Sequence, residues 1–279
     1  MSQSRHGLYT PEGGPADPVF RIGLAPIPVE HWFEGGEQDP AARKDALLAS
    51  VPHLVWGETE GSRLAQSEVA GMVADWLGRP PPSNDPPLWT ASRAVADDLC
   101  LMENRGGEWT LTAASLCAPS FFSAAASVGQ PLSGLHAPVP GFNEGLLHRV
   151  ARIFDHLPPD QVVERRNWTV VNSPDLHQPD PAPYRARLAA QSLEQIAAGL
   201  HVRRERQTLR RAPRTGAVLF TIRIWTERLD DLLSEPDRRA GFATAWERLM
   251  MDEGAPFRTY KRLDLYDGAV RARLASFPA

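Results

Sequence analysis

LHVRRERQTLRRAPRTGAVLFTIRIWT (residues 200–226) carries the pattern that decides the fold. In its second half Val218, Phe220, Ile222 and Ile224 alternate with Leu219, Thr221, Arg223 and Trp225. A period of two places these on opposite faces of a strand. The first half, 200–211, is a strand candidate of similar length. Between them Pro213-Arg214-Thr215-Gly216 is a hairpin-sized connection with glycine where a turn needs one. A third β-rich run, QVVERRNWTVV (161–171), completes a set of strands expected to be neighbours in one antiparallel sheet.

Upstream the period changes. Asp39-Pro40 opens a helix to about Ser50, with proline in its first turn. A second helix, about Leu64 to Leu77, lines Val69, Val73 and Trp76 along one side, and Pro80-Pro81-Pro82 closes it. Ser92 reads as the cap of a third, with Val95, Leu99 and Met102 at helical spacing. After Gly106-Gly107, GEWTLTAASLC (107–117) returns to strand alternation. Asn143 to about Leu157, 184–198 and Arg238 to Met251 read as further helices, the last with Phe242, Trp246, Leu249 and Met250 on one stripe. The segment 119–142 is a long connection without clear period, a kind that is usually functional when it is this apolar. Helices flanking a largely antiparallel sheet make the class α+β. Residues 1–20, rich in Gly, Pro and small polar groups, are expected to be a flexible tail. RIGLAPIPVEHWF (21–33) is expected to pack as an extended strap, and 21–279 reads as one domain with a helical N-terminal elaboration.

The 279 residues suffice to bury roughly three quarters of the extended chain's surface, so folding needs no disulfide or structural metal. Thirty basic against thirty-four acidic side chains leave a net charge of −4, which argues against nucleic acid as the main partner. The 26 prolines are about twice the usual share and point to stiff connections and short helices. Two cysteines, Cys100 and Cys117, exclude a disulfide scaffold and a four-cysteine zinc or iron–sulfur site. The opening MSQSRHGLYTPEGGPADP has no apolar core for a secretory signal, and no uncharged apolar run reaches membrane-spanning length. A soluble, cytoplasmic chain is expected, and Asn167-Trp168-Thr169 is then a chance glycosylation pattern.

Arg203, Arg204, Arg206, Arg210, Arg211 and Arg214 crowd the first hairpin strand and its turn. Alternation sends Arg204, Arg206 and Arg210 one way and Arg203 and Arg211 the other. They form either a solvated strand laced with carboxylates or a pocket for carboxylates or phosphates. Arg223 is a charge in the middle of an apolar strand and needs an anionic partner there, a buried carboxylate or a ligand. Arg166 and Trp168 share a strand face and raise the same question. No histidine makes a His-x-Glu, HExxH or Cys-His zinc cluster, and neither G-x-G-x-x-G nor a Walker lysine motif occurs. Absence of Cys-x-x-Cys-His excludes covalently attached haem only. His136, in Leu135-His136-Ala137-Pro138-Val139-Pro140-Gly141, is held in a stretch stiffened by alternating prolines; a ligand role and a packed, hydrogen-bonded role are both open for it, as for His148, His177 and His201.

LHAPVPG (135–141), RRNW (165–168), HVRRERQTLRRAPRTGAVLFTIRIW (201–225) and DDLCLM (97–102) together resemble, in order, the haem-dependent oxidative N-demethylase family. The resemblance runs from about residue 21 to 260. It implies a PAS-like core holding haem b, and oxidative removal of a methyl group from a dimethylamine-like secondary amine with O2, leaving a primary amine and formaldehyde. Electrons are implied to come from NADPH through flavin and iron–sulfur reductase subunits, which accords with the absence of nicotinamide and cluster motifs in this chain. The resemblance makes His136 the axial ligand, Arg206 and Arg223 the contacts for haem propionates or bound oxygen, and Trp168 a pocket wall. The alanine-rich stretch AASLCAPSFFSAAASVG (113–129) is expected to widen that pocket. A non-catalytic haem or small-molecule sensor on the same core, and an assembly protein that has lost its cofactor, are the alternative readings. Self-association is left open; a nucleic-acid or membrane partner is not expected.

Overall fold

Seven antiparallel strands form one sheet in the computed structural model, which describes residues 23–35, 39–80, 86–139 and 141–277. The tail expected at 1–20 lies outside those residues. The strands are β1 (Ala25–Ile27), β2 (Trp56–Glu58), β3 (Asp98–Arg105), β4 (Glu108–Ser115), β5 (Val162–Val171), β6 (His201–Arg211) and β7 (Val218–Arg228), in the spatial order β1-β5-β6-β7-β3-β4-β2. The hairpin read from 200–226 forms in register, with Leu209 opposite Phe220 and Arg206 opposite Arg223. β5 lies on its other side, with Arg165 opposite Gln207. At the turn Gly216 takes φ +73°, and the Glu68 carboxylate accepts the backbone N–H groups of Arg214 at 2.7 Å and Thr215 at 2.8 Å. Helix Arg63–Trp76, which carries Glu68, thereby locks the hairpin end.

The five central strands run hairpin (β3-β4), helical crossover (116–161), then a meander (β5-β6-β7) whose last strand pairs with the first of the hairpin. This is the PAS-like α+β core the sequence suggests. The crossover covers one face of the sheet. There Cys100, Met102, Val163, Leu209, Ile222 and Ile224 pack with Phe142 and Phe154. The opposite face is covered at one end by Trp32 and helices Arg63–Trp76 and Pro87–Ser92, over Leu99, Leu101 and Leu219. At its other end Pro236–Met250 and the C-terminal helices pack Phe242 and Trp246 over Val170 and Val202.

One element is corrected. Ser92 closes helix Pro87–Ser92 and does not open another; Leu99 and Met102 belong to β3. Both faces of β3 are buried, Leu99 and Leu101 on one side and Cys100 and Met102 on the other. A strand without a polar face loses its period of two, and Val95, Leu99 and Met102 then mimic helical spacing. The helix expected from Asn143 starts as a π-helical turn, Phe142–Leu146, before Leu147–His156. The run 184–198 is two helices, Ala182–Ala190 and Leu193–Ala198, parted at the Ser192–Gln195 capping box.

Candidate functional site

The crossover presents His136. The short helical turn Leu132–Leu135 ends on this residue, whose N–H donates to Leu132 O at 3.3 Å. The ring turns back on the same carbonyl, with Nδ1 at 3.1 Å from Leu132 O. A carbonyl only accepts, so Nδ1 carries the proton and Nε2 keeps its lone pair. Among the described residues Nε2 makes no hydrogen bond. Phe142 stacks on the imidazole with ring centroids 4.0 Å apart and planes 11° apart, and Gly141 at φ +72° lets the chain fold back to bring it there. Burial holds the imidazole pKa below its ordinary value; the Leu132 carbonyl opposes this and the Arg165 charge adds to it. His136 is therefore a neutral, oriented imidazole with one open nitrogen at neutral pH. Pro138 lies in this loop, and Pro140 lies outside the described residues.

On the same sheet face β5 and β6 place Arg165, Glu205 and Arg203. Glu205 is 7% exposed; its carboxylate accepts from Ser120 Oγ at 2.9 Å and from Gln207 Nε2 at 3.0 Å. Burial raises the Glu205 pKa, but Lys261, Arg203, Ser120 and Arg165 together bring it below the ordinary carboxylate value. Arg203 is 1% exposed and ties β6 to both loops above it, donating to Ser120 Oγ and to the carbonyls of Ala118, Pro119, Asp175 and Leu176 at 2.9–3.1 Å. Next to Ser120, Phe121 adopts φ +66°, and its half-exposed ring sits 5.9 Å from Tyr184. A left-handed backbone at a non-glycine residue costs on the order of 1–2 kcal/mol, and strain of that kind clusters at functional loops. Lys261, at the end of helix Ala255–Lys261, has its Nζ 5.5 Å from the Phe257 ring and 5.9 Å from that of Tyr260.

Arg206, Arg223 and Trp168 lie on the other side of the sheet from His136, so the grouping of all four in one pocket is corrected. Alternation alone separates them: Arg165, Arg203 and Glu205 face the crossover, and the even-numbered residues of β5 and β6 face away. Arg206, 1% exposed, gives Nε to Glu164 and its terminal nitrogens to Trp32 O at 2.9 Å and His31 O at 2.5 Å. Its donors fasten the N-terminal strap to the sheet. Arg223 is 8% exposed, and its charge acts on the buried Asp97. Trp168 packs against Phe242 with ring centroids 5.6 Å apart. Arg204, 3.3 Å from Glu227, lies under the Trp225 ring at 5.1 Å. The solvated-strand reading of the arginines is also corrected, since Arg203, Arg204 and Arg206 are all buried.

Replacing Arg206 by methionine should therefore cost about 2 kcal/mol of stability, the worth of a charged hydrogen-bond cluster whose acidic partner Glu164 retains Arg166. A haem titration of the folded variant that matches wild type, beside a lowered denaturant midpoint, is the expected outcome.

The other histidines are less suited to ligation. His177 Nε2 is enclosed and has no hydrogen-bond partner among the described residues. His201 has Nδ1 2.9 Å from Gly199 O at the far end of β6, and His148 lies on the outer side of helix Leu147–His156 beside Arg149 and Arg152. Ala113, Ala114, Ala118 and Ala124 are all within 3% exposure, so these alanines are close-packed core. Arg165, Glu205 and Lys261 did not stand out in the sequence. Arg165 was one arginine of a pair, and Lys261 lies beyond the last helix the periodicity shows.

Among the described residues no three His, Cys, Asp or Glu side chains converge as a metal cage. Haem asks for less, because the macrocycle supplies the equatorial nitrogens and the protein one axial ligand. A neutral histidine with its Nδ1–H fixed and Nε2 open meets that requirement, and basic side chains on the same wall suit the acid groups of the macrocycle.

Fold and site thus define a class: an α+β protein that presents one oriented imidazole and a basic wall on the crossover-covered face of a PAS-like sheet. Residues 66–271 match the family described as haem-dependent oxidative N-demethylase, alpha subunit-like, and the chain belongs to that family.

Proposed function

We propose that this chain holds haem b through His136 and removes a methyl group oxidatively from a dimethylamine-like secondary amine. The observation that carries the reading is the His136 ring, tied to Leu132 O through Nδ1 and open at Nε2. Overall, amine, O2, two electrons and two protons give primary amine, formaldehyde and water, with one oxygen atom in each of the last two products. Bound haem would supply the oxygen chemistry. The chain's own residues orient and insulate. The Leu132 carbonyl fixes the tautomer and makes Nε2 a better donor. Phe142 covers one side of the imidazole, and the lowered pKa keeps the ring unprotonated. The electrons come, in this proposal, from NADPH through flavin and iron–sulfur partner subunits. No described helix is long and apolar enough to cross a membrane, in keeping with a proposed cytoplasmic site of action.

The test is formaldehyde release from dimethylamine by the haem-loaded chain, in air, with an NADPH-driven flavin/iron–sulfur reductase. Formaldehyde produced in step with NADPH oxidation supports the proposal. A haem-loaded chain that yields none under these conditions refutes it in favour of a haem sensor on the same core.

A further inference from the structure

We propose that the outer face of helix Leu147–His156 is the docking surface for an acidic electron-transfer protein, with His148, Arg149 and Arg152 as its contacts. The partner's redox role rests on the haem reading above; the face itself does not.

The inner side of this helix belongs to the core. Leu147, Val150, Ala151 and Phe154 pack in one cluster with Leu135, Val139 and Phe142. The outer side is basic. His148, Arg149, Arg152 and His156 fall within one arc of about 100° at helical spacing, and all are exposed. At the helix end His156 Nδ1 turns back on the Arg152 carbonyl at 2.8 Å, and Arg211 of β6 donates to Asp155 O at 2.6 Å. These two side chains serve the last turn. His148, Arg149 and Arg152 have no such use. Together with Ile153 they line one recess, and none of the three side chains makes an ion pair or hydrogen bond among the described residues. The acids nearby do not neutralise them. Trp109 Nε1 donates to the Asp155 carboxylate at 2.8 Å, and Glu144, one turn before His148, makes no ion pair among the described residues.

A chain of net charge −4 that gathers uncompensated cations on one helix face presents there a field opposite to its overall charge. Such a face attracts an acidic protein surface and sets its orientation. A bilayer fits poorly, because the apolar side of the helix is committed to the core and has nothing left to insert. A nucleic acid is opposed by the acidic remainder of the chain. Position gives the partner its role. Phe142, which stacks on His136, lies seven residues before Arg149, roughly 10 Å of helical rise. A protein seated on this face is thus about two helical turns from the imidazole. One face of a ten-residue helix is a small surface, as suits the brief encounters of electron-transfer proteins, which bury less than about 1,200 Å².

The test compares wild type, Arg149→Glu/Arg152→Glu, and the control Arg79→Glu/Arg185→Glu, which makes the same charge change at exposed arginines outside this helix. The probe is an acidic 2Fe–2S ferredoxin, titrated by calorimetry into the apo- and haem-loaded chain at low and physiological salt. Haem reduction by the reduced ferredoxin is followed by stopped flow. All three proteins should share one melting curve and one ferrous spectrum with dithionite, since none of the four side chains holds a hydrogen bond or ion pair among the described residues. The expected result is wild-type and control binding that weakens with salt, and an affinity and reduction rate that both fall about tenfold or more in the helix variant. A wild type that does not bind at low salt, an equal loss in the control, or a reduction rate untouched by the helix reversal overturns the proposal. Binding of wild type to vesicles of equimolar phosphatidylserine and phosphatidylcholine, lost in the helix variant and without ferredoxin binding, overturns it in favour of a membrane surface. A chain that takes up no haem defeats the haem reading, and the titration of the apo-protein then judges the docking face alone.

Discussion

Replacing Arg203 by alanine is expected to lower the stability of the fold by about 3–5 kcal/mol, the range for emptying one side of a buried charged network. That loss shifts the melting midpoint by roughly 10 °C for a chain of this size. The reason is geometric. One guanidinium reaches Ser120 Oγ and the carbonyls of Ala118, Pro119, Asp175 and Leu176, so two loops far apart in sequence share one anchor on β6. Alanine leaves acceptors without donors in a site that is 1% exposed, and lysine cannot replace a planar fork of five N–H groups with three. Denaturant melts of Arg203→Ala and Arg203→Lys should both show the loss. A change below about 1 kcal/mol in either would mean that the loops are held by something else.

The second large effect is a dependence of stability on pH. Asp97 is fully buried, and beside the charges around it only the Thr221 hydroxyl, outside good hydrogen-bond geometry, helps to hold its ionised form. Burial pushes its pKa up to about 7, against the opposing charges of Arg223, Lys44 and Arg206. The folded state therefore binds this proton more tightly than the unfolded chain, whose aspartate titrates near 4. Stability from this group is fully present below about pH 4 and is lost as pH rises toward 7, with a span on the order of 4 kcal/mol. Asp97→Asn removes that slope. The difference between variant and wild-type unfolding free energies, measured from pH 5 to 8, should move in favour of the variant as pH rises. Taking the difference cancels the groups of opposite sign, such as Glu68 and Glu205, whose lowered pKa values make them stabilising at high pH. A flat difference would show that Arg223 and Lys44 keep Asp97 ionised throughout.

The sequence makes the hairpin legible because β7 is apolar on one side and interrupted by Thr221 and Arg223 on the other, and because Gly216 marks the turn. It hides β3, whose two faces are both buried, and the three-residue edge strands β1 and β2, too short to show a period. The candidate site is half legible. His136 stands out through its prolines and through resemblance, yet which arginines share its wall depends on the parity of β5 and β6 relative to the crossover. The alternation of Arg203 and Arg206 could be read from sequence; which face the crossover covers could not. Resemblance therefore selected Arg206 and Arg223, and the sheet assigns Arg165 to the side of His136.

The most direct measurement of the account is the absorption spectrum of the purified chain, wild type and His136→Ala, after reconstitution with haem, in ferric and ferrous states. The wild type should show a Soret band from stoichiometric haem. The variant should lose it, recover it with added imidazole, and keep a haem-free melting curve within about 1 kcal/mol of wild type, since only the Leu132 hydrogen bond and one stacking contact are removed. A variant with the wild-type spectrum, or a folded wild type that stays colourless in excess haem, would contradict it.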